Sequence, residues 1–293
     1  MLDEKTAKLI LFSSVDPVDI FWQIEVAREG GVSIYQKIIK GSMYTKISEF
    51  RQIKNRVLSA NVDALKSEIF SANAEFVCSE DPDWPRSCHD LMVPPIGLVI
   101  KGDRNLLTRL DSSIAIVGSR RPTAYGLNVA NLLASDACHR KIVVISGGAY
   151  GIDTAAHKAA LMANGKTISV LAGGVNNLYP LENQELFSQI TKSGLLISEV
   201  MPSVETRPAR FLNRNRLIAA LAMATVVVEA EFVSGSIRTA RDAAEIFRPV
   251  FAIPGQISSR LSDGCHRLIA ERIADIATSL DEILEVIKPL QLR

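Results

Sequence analysis

The feature that most constrains the fold is an alternation of short apolar runs and helical segments that begins at Ile114. The runs are rich in Val, Ile and Leu and nearly continuous, which is typical of strands buried on both faces of a parallel sheet. Segments with helical spacing separate most of them, as in βαβ units. We therefore predict an α/β fold with a doubly wound, mostly parallel Rossmann-like sheet. The predicted strands are Ile114–Val117, Ile142–Ile145, Thr167–Leu171, Leu195–Ile197, Thr225–Val228 and Val250–Ile253. The predicted helices are Tyr125–Ala137, Asp153–Ala163, Asn183–Thr191, Asn215–Ala224 and Ile237–Phe247.

The loops that follow these strands predict an anion-binding surface. Right-handed crossovers place such loops at one edge of the sheet, where ligands bind. The loops carry glycines, hydroxyl groups at helix starts and arginines. Glycine lets the backbone approach a phosphate closely, and arginine pairs with two phosphate oxygens at once. The glycine turn within Lys141–His157 (KIVVISGGAYGIDTAAH), with a helix opening behind it, has the typical form of a phosphate-binding element.

The candidate binding residues come from five stretches of this edge. Arg207–Arg216 holds four arginines and no acidic residue, a composition that favours an anion. Lys166 directly precedes the third strand. The full set of candidates is Gly118, Ser119, Arg120, Arg121, Gly147, Gly148, Gly151, Lys166, Arg210, Asn213, Arg214, Arg216, Ser234, Gly235 and Ser236.

The glycine turn and its helix also have structural interpretations. Gly147, Gly148 and Gly151 could instead serve only close packing of a helix on the sheet, although phosphate binding is the favoured interpretation. We expect Asp153 to be the N-cap of the following helix, because Asp accepts hydrogen bonds from free N–H groups there. His157 lies four residues later on the same helix face, so a structural Asp–His hydrogen bond is favoured over a general base.

The sequence argues against common cofactors. Neither GxGxxG nor a P-loop motif is present, which disfavours NAD and ATP, and we expect no cofactor. The formal net charge is only +1, so a nucleic-acid site would have to be a local patch. Three Cys–His dipeptides raise the alternative of a metal site, but no paired ligand spacing accompanies them. We therefore expect free thiols and no metal.

The N-terminal part has a different pattern. Residues 1–74 carry apolar residues at helical spacing with glycine breaks, and a proline-rich connection, Asp81–Asp103, follows. We expect a small helical domain over 1–74 and the Rossmann-like domain over 75–293. The helical part is interpreted as a structural appendage, with a module for a partner or DNA as the alternative. No apolar run reaches the ~18 residues of a membrane span. Acidic residues near the N-terminus disfavour a signal peptide, and free thiols suit the cytoplasm, so a cytoplasmic protein without membrane contact is expected.

Together these stretches resemble the DNA-processing protein A (DprA/Smf) family, from about Asp81 to Ile287. The motifs that carry the resemblance are DPDWP…PP, IAIVGSR, VISGGAYGIDTAAH, GKTISVLAGGVNNLYP, LISE, RNRLIAALA, VVVEAEFVSGSIRTA and VFAIPG. The resemblance implies a mediator of recombination and natural transformation that binds single-stranded DNA and loads a RecA-type recombinase onto it. It also implies a homodimer and no catalytic activity.

The resemblance further implies roles for particular residues. Arg120 and Lys166 would be the main phosphate contacts, and Arg214, Arg216 and the loop Ser234–Ser236 would line the same basic pocket. Holding phosphate without reading base edges gives binding that does not depend on sequence.

The chain also departs from the family pattern. Gly264–Ile269 (GCHRLI) lacks the Asn of the family's GxNxLI element, Ala220 replaces a common Gly, and Leu212 replaces a usual Pro. These changes make the C-terminal edge and its dimer contacts less predictable than the pocket. We also expect no C-terminal winged helix.

Two other functions remain open. One is a nucleoside 5′-monophosphate phosphoribohydrolase of the LOG type, which uses a PGGxGTxxE loop. This chain has VSGSIRTARD at that place and lacks the Glu, which disfavours that chemistry. The other is a regulatory module that binds a mononucleotide.

Overall fold

The computed structural model describes residues 2–42 and 47–291. The chain begins with helices at the places where the sequence shows helical spacing. Asp3 and Asn61 each cap a helix by accepting a backbone N–H three residues ahead. The helices are α1 Glu4–Ser14, α2 Ile20–Glu29, α3 Gly31–Lys40, α4 Ile47–Ser59 and α5 Val62–Ser71.

The described strands form one mixed, mostly parallel sheet in the order β1-β2-β6-β5-β4-β3-β7-β8-β9. Its strands are β1 Glu75–Val77, β2 Leu98–Gly102, β3 Ser113–Val117, β4 Val143–Ser146, β5 Thr167–Leu171, β6 Leu195–Ser198, β7 Thr225–Val227, β8 Val250–Ala252 and β9 Asp275–Ile276. Strands β3 to β9 pair in parallel, whereas β2 pairs antiparallel with β1 on one side and with β6 on the other. The six predicted strands correspond to β3–β8, so the fold prediction is confirmed.

Helices cover both faces of the sheet. They are α6 Ala124–His139, α7 Ile152–Met162, α8 Gln184–Ser193, α9 Pro208–Leu221, α10 Gly235–Glu245, α11 Asp263–Ala270 and α12 Leu280–Gln291. Ile114 and Ile116 of β3 pack with α6, α7 and α12 on one face, while Ala115 and Val117 face α9 and α10 on the other. Helices α1–α3 and α8 share a third cluster with Leu171 and Leu196. This two-sided burial explains why the strands read as nearly continuous apolar runs.

The strand order reverses at β3, which lies between β4 and β7. The helix after β3 packs on one face and the helix after β7 on the other. Their connecting loops therefore diverge and leave a crevice at the carboxyl ends of the strands, the usual ligand position in such sheets.

Helix α9 begins at Pro208, seven residues before the predicted start at Asn215. Proline is favoured at the first helical position because its missing N–H is not needed there. The predicted start was wrong because Arg210, Asn213 and Arg214 interrupt the apolar spacing in the first turns of α9, and the regular apolar pattern begins only after them. As a result Arg210, Asn213 and Arg214 lie on a helix rather than in the predicted loop.

The proline-rich connection is fixed to the rest of the domain by one apolar contact and by ion pairs. Trp84 is buried in the core cluster beneath α9. Arg104 donates to Asp83 at 2.7 Å and to Asp81 at 3.2 Å, which ties the connection to the segment after β2. Within residues 2–42 and 47–291, no helix combines the length and the apolar composition needed to cross a membrane.

Candidate nucleic-acid interface

A cavity of about 650 Å³ occupies the crevice at the carboxyl ends of the strands. Its walls come from the loops after β3, β4, β5 and β7 and from the first turns of α9 and α10. Eight of the predicted binding residues line it, so the structure brings together most of the predicted phosphate surface. They are Gly118, Ser119, Arg120, Arg121, Arg214, Ser234, Gly235 and Ser236.

Arg120 lies exposed at the mouth of this cavity, against an aromatic pair. Its guanidinium carbon is 5.7 Å from the ring centroid of Phe211, and Phe211 meets Tyr179 edge-to-face at 5.4 Å between centroids. The loop that carries Arg120 is anchored, because Ser119 accepts the N–H of Ile152 at 3.1 Å. Arg120 is therefore an exposed cation on a fixed loop, well placed to contact an anion and a flat ring together.

Arg214 forms the floor of the cavity from α9. It is buried, and its Nη1 donates to the carbonyl oxygen of Gly147 at 2.7 Å and to that of Val170. Burial lowers the pKa of Arg214 to about 10, an effect that the Asp153 carboxylate partly offsets. Since about 10 is still well above neutral pH, Arg214 contributes a positive charge to the floor.

The N-terminus of α10 faces the same cavity. Ser234 is its N-cap, and its hydroxyl accepts the N–H of Ile237 at 3.4 Å and lies 2.9 Å from the hydroxyl of Ser236. A helix start carries unpaired N–H groups and a partial positive charge, which attract anions. The cavity therefore combines three arginines with a helix N-terminus.

The glycine turn lies beneath the cavity and serves packing. A Cβ at Gly147 would lie 2.6 Å from the guanidinium carbon of Arg214. Gly148 and Gly151 have φ angles of +69° and +77°, and a Cβ at either would strike Phe187 or the loop of Ser119. The structure therefore places these glycines at tight contacts of the turn with α9, α8 and the loop after β3, and none of the three is among the cavity-lining residues. Their contact with a phosphate stays a prediction.

Asp153 and His157 do not form the expected pair. The N-cap of α7 is Gly151, and Asp153 accepts the N–H groups of Gly147 at 3.1 Å and Ala149 at 3.3 Å. His157 Nδ1 lies 2.7 Å from Thr167 Oγ1, which itself donates to a β4 carbonyl. The expected Asp–His hydrogen bond and N-cap are therefore wrong. Burial, reinforced by Arg214, lowers the pKa of His157 to about 3, so this imidazole is neutral at physiological pH.

Two predicted binding arginines are instead engaged with acidic or amide groups outside the cavity lining. Arg210 donates to Asp16 at 2.6 Å, and Arg216 donates to Glu199 at 2.6 Å and to Gln23 at 3.3 Å. Asn213 also reaches Glu199, at 3.3 Å. The segment Arg207–Arg216 contains no acidic residue, and the carboxylates that engage Arg210 and Arg216 both precede it in the sequence. These contacts join α9 to α1–α2 and to the segment after β6. A contact of either arginine with phosphate stays a prediction.

Lys166 lies at the opposite edge of the sheet. It precedes β5, and its ammonium pairs with Asp103, after the antiparallel β2, at 3.2 Å. The expectation that Lys166 lies in the same pocket as Arg120 is therefore wrong. Lys166 directly precedes a strand of the parallel sheet, so it lies at the edge formed by the amino-terminal ends of the strands, whereas the pocket lies at their carboxyl ends.

Some cavity residues were missed from the sequence. Phe211, Asn215 and Ile218 share a face of α9 with Arg214, and Val233 precedes the N-cap of α10. Spacing of three and four residues around Arg214 could have found the first group, had the helix start been recognised. The part of the chain that the structure describes holds no group of three His, Cys, Asp or Glu residues suited to a metal, and its four cysteines are buried and free.

Comparison with known proteins now assigns the family. The sequence profile of DNA recombination-mediator protein A matches residues 75–288, from β1 into α12. The chain belongs to this family. DNA processing protein DprA of Bacillus subtilis, for example, is 40% identical over 204 residues, which cover 70% of this chain and 67% of the relative.

Solved structures of the family share this architecture. The X-ray structure of DNA processing protein A from Streptococcus pneumoniae superposes with a TM-score of 0.83 at 31% identity and covers 97% of this chain and 98% of its own. A structure of the Helicobacter pylori protein, determined to describe its single-stranded DNA binding mode, has a TM-score of 0.66 at 29% identity. It covers 74% of this chain and 98% of its own. The Rossmann-like domain with N-terminal helices is thus the arrangement found in the DprA family.

Proposed function

We propose that this chain binds single-stranded DNA at the crevice between β3 and β7 and presents it to a RecA-type recombinase. The observation that carries the proposal is the cavity of about 650 Å³ that joins Arg120, Arg121 and Arg214 to the N-terminus of α10. The H. pylori relative, whose single-stranded DNA binding mode has been described, supports the choice of ligand.

The chemistry of the cavity suits the nucleic-acid backbone. Its donors are guanidinium, hydroxyl and helix N-terminal groups, which contact phosphate oxygens without reading base edges. Phe211 and Tyr179 add ring surfaces on which an unpaired base stacks, whatever its identity. The proposed binding is therefore salt-sensitive and independent of sequence.

A direct experiment compares oligo-dT with AMP over a salt series, by fluorescence anisotropy for the oligomer and calorimetry for AMP. Binding of the oligomer alone, weakening steeply with salt, is the expected result. Tight binding of AMP with release of adenine would instead favour the phosphoribohydrolase. The phosphoribohydrolase is tested as a second function because its chemistry needs a Glu, and the carboxylate of Glu231 lines the cavity.

We further propose that the protein acts as a binding mediator and not as a catalyst. His157 is buried and neutral, and the Oδ2 atom of Asp153 is engaged by two backbone N–H groups of the glycine turn, which supports a structural role for both residues. Incubation with labelled single strands and mononucleotides, followed by product analysis, should return both unchanged.

The remaining proposals concern partners and organisation. We propose a cytoplasmic homodimer formed through the domain of residues 75–293, with residues 1–74 as a structural appendage. The ion pair of Asp16 with Arg210 supports the appendage role, because it secures α9 from outside the cavity. Light scattering tests the dimer. Recombinase filament formation on single strands, with and without this protein, tests the loading step.

A further inference from the structure

The mouth of the cavity has two sides that the strand order separates. Tyr179 follows β5, on one side of the β3 loop, and Val233 follows β7, on the other. Three strand spacings lie between β5 and β7. At about 4.8 Å per spacing, strands β5 and β7 lie about 14 Å apart, and β3, whose following loop carries Arg120, lies between them.

Each side of the mouth carries an aromatic ring covered by an arginine. Arg120 lies over Phe211 on the β5 side, and Arg267 lies over Phe232 next to Val233 on the β7 side, both at 5.7 Å from the ring centroid. Only these two arginine–ring contacts occur in the part of the chain that the structure describes. Arg267 is itself fixed by Glu271 at 2.5 Å. The Phe232 ring is therefore supported by a fixed cation while much of its surface stays open.

The β7 side exposes an unusual amount of apolar surface for a loop. Phe232 is 57% exposed and Val233 is 87% exposed, and both precede the N-cap Ser234 directly. An exposed apolar patch beside a binding cavity is typical of a contact surface. Glu231, which directly precedes Phe232, is an exposed residue whose carboxylate would repel a phosphate. The phosphate-binding arginines and the N-terminus of α10 lie inside the cavity, whereas the exposed apolar side chains at this side of its mouth suit the bases.

We propose that Phe232 and Val233 form a second wall that stacks an unpaired nucleobase while Arg120 and Arg214 hold the phosphates. This inference rests on the proposed binding of single-stranded DNA. A duplex keeps the faces of its bases inside the helix, so the wall accepts a single strand and gains nothing from a duplex. Base–aromatic stacking tolerates any base, which agrees with binding that does not depend on sequence.

The test compares Phe232→Ala with wild type on two oligomers of equal length, oligo-dT and an oligomer with abasic sites in place of the bases. We expect Phe232→Ala to weaken oligo-dT binding about tenfold, since stacking is lost, and to leave the abasic oligomer unaffected. Phe232→Tyr should bind oligo-dT as wild type does. Phe70→Ala is the matched control, because Phe70 is an exposed phenylalanine, 82% accessible, on α5 of the N-terminal helical part rather than on the loop after β7.

Two results would overturn the inference while wild-type binding stays intact and salt-sensitive. One is an unchanged affinity of Phe232→Ala for oligo-dT. The other is an equal loss on both oligomers, which would indicate a structural effect on the loop. If wild type fails to bind oligo-dT, the proposed function itself is refuted, and the second wall with it.

Discussion

Gly147→Ala separates the packing role of the glycine turn from a phosphate-binding role. The added Cβ would lie 2.6 Å from the guanidinium carbon of Arg214, far inside contact distance. The backbone cannot easily yield, because Asp153 holds the N–H of Gly147 at 3.1 Å. The substitution should therefore displace the Arg214 guanidinium from the carbonyl oxygens of Gly147 and Val170.

The expected cost follows from those two hydrogen bonds. Hydrogen bonds to a charged group contribute about 1.5–3 kcal/mol each, so their loss costs about 3–6 kcal/mol. Alanine lowers the conformational entropy of the unfolded chain relative to glycine, which stabilises the folded state by about 0.4–1 kcal/mol and offsets part of this loss. The net loss in the free energy of unfolding is about 2–5.6 kcal/mol. With a urea m-value of about 3 kcal/mol/M, the midpoint should fall by about 0.7–1.9 M.

Urea unfolding followed by circular dichroism measures this effect, and two variants control it. Gly235→Ala places its Cβ 3.6 Å from the nearest atom, the Asn215 side-chain nitrogen, and should leave the midpoint unchanged. In an Arg214→Ala background, Gly147→Ala should cost far less, because the clashing group is gone. An unchanged midpoint for Gly147→Ala would refute the packing argument, and loss of oligo-dT binding alongside it would restore the phosphate interpretation.

Three further predictions follow from the site and its surroundings. Arg120→Ala should weaken oligo-dT binding and make the slope of log K against log salt shallower by about one, whereas Lys166→Ala at the opposite edge should leave the slope unchanged, as anisotropy titrations can measure. The pKa of His157 is lowered to about 3 in the folded protein, so its contribution to stability is present above the unfolded value of about 6.5 and is lost as the pH falls towards 3. Wild type should therefore lose about 2 kcal/mol more than His157→Gln between pH 7 and pH 5 in urea titrations, and equal losses would contradict the assignment. Glu199→Ala should destabilise the fold by about 3–5 kcal/mol because it leaves the Arg216 guanidinium buried without its anion, and a small change in the urea midpoint would refute this.

The sequence predicted the sheet well because its signal is local. Each of the strands β3–β8 is a short apolar run whose neighbours in the chain reveal it. The convergence of Arg120, Arg214 and Ser234 on one edge followed from the handedness of the crossovers, without any knowledge of side-chain contacts.

The errors arose where a side chain's partner is remote in the sequence. The carboxylate that binds Arg210 lies 194 residues away, at Asp16. The carbonyl oxygen that accepts a hydrogen bond from Arg214 lies 67 residues away, at Gly147. From the local sequence, all arginines of Arg207–Arg216 are equally good candidates for anion binding. In the fold, Arg214 lies on the cavity floor, whereas Arg210 and Arg216 pair with carboxylates. Local composition cannot distinguish these two environments.

The ion pair between Asp16 and Arg210 also bears on the order in which the protein is made. Asp16 leaves the ribosome 194 residues before its partner. At about 5–20 residues per second, the gap is about 10–40 s. During this interval α1–α3 expose the apolar residues that later pack against Leu171 and Met201. The nascent N-terminal helices thus complete their packing only after the strands β1–β6 have been synthesised.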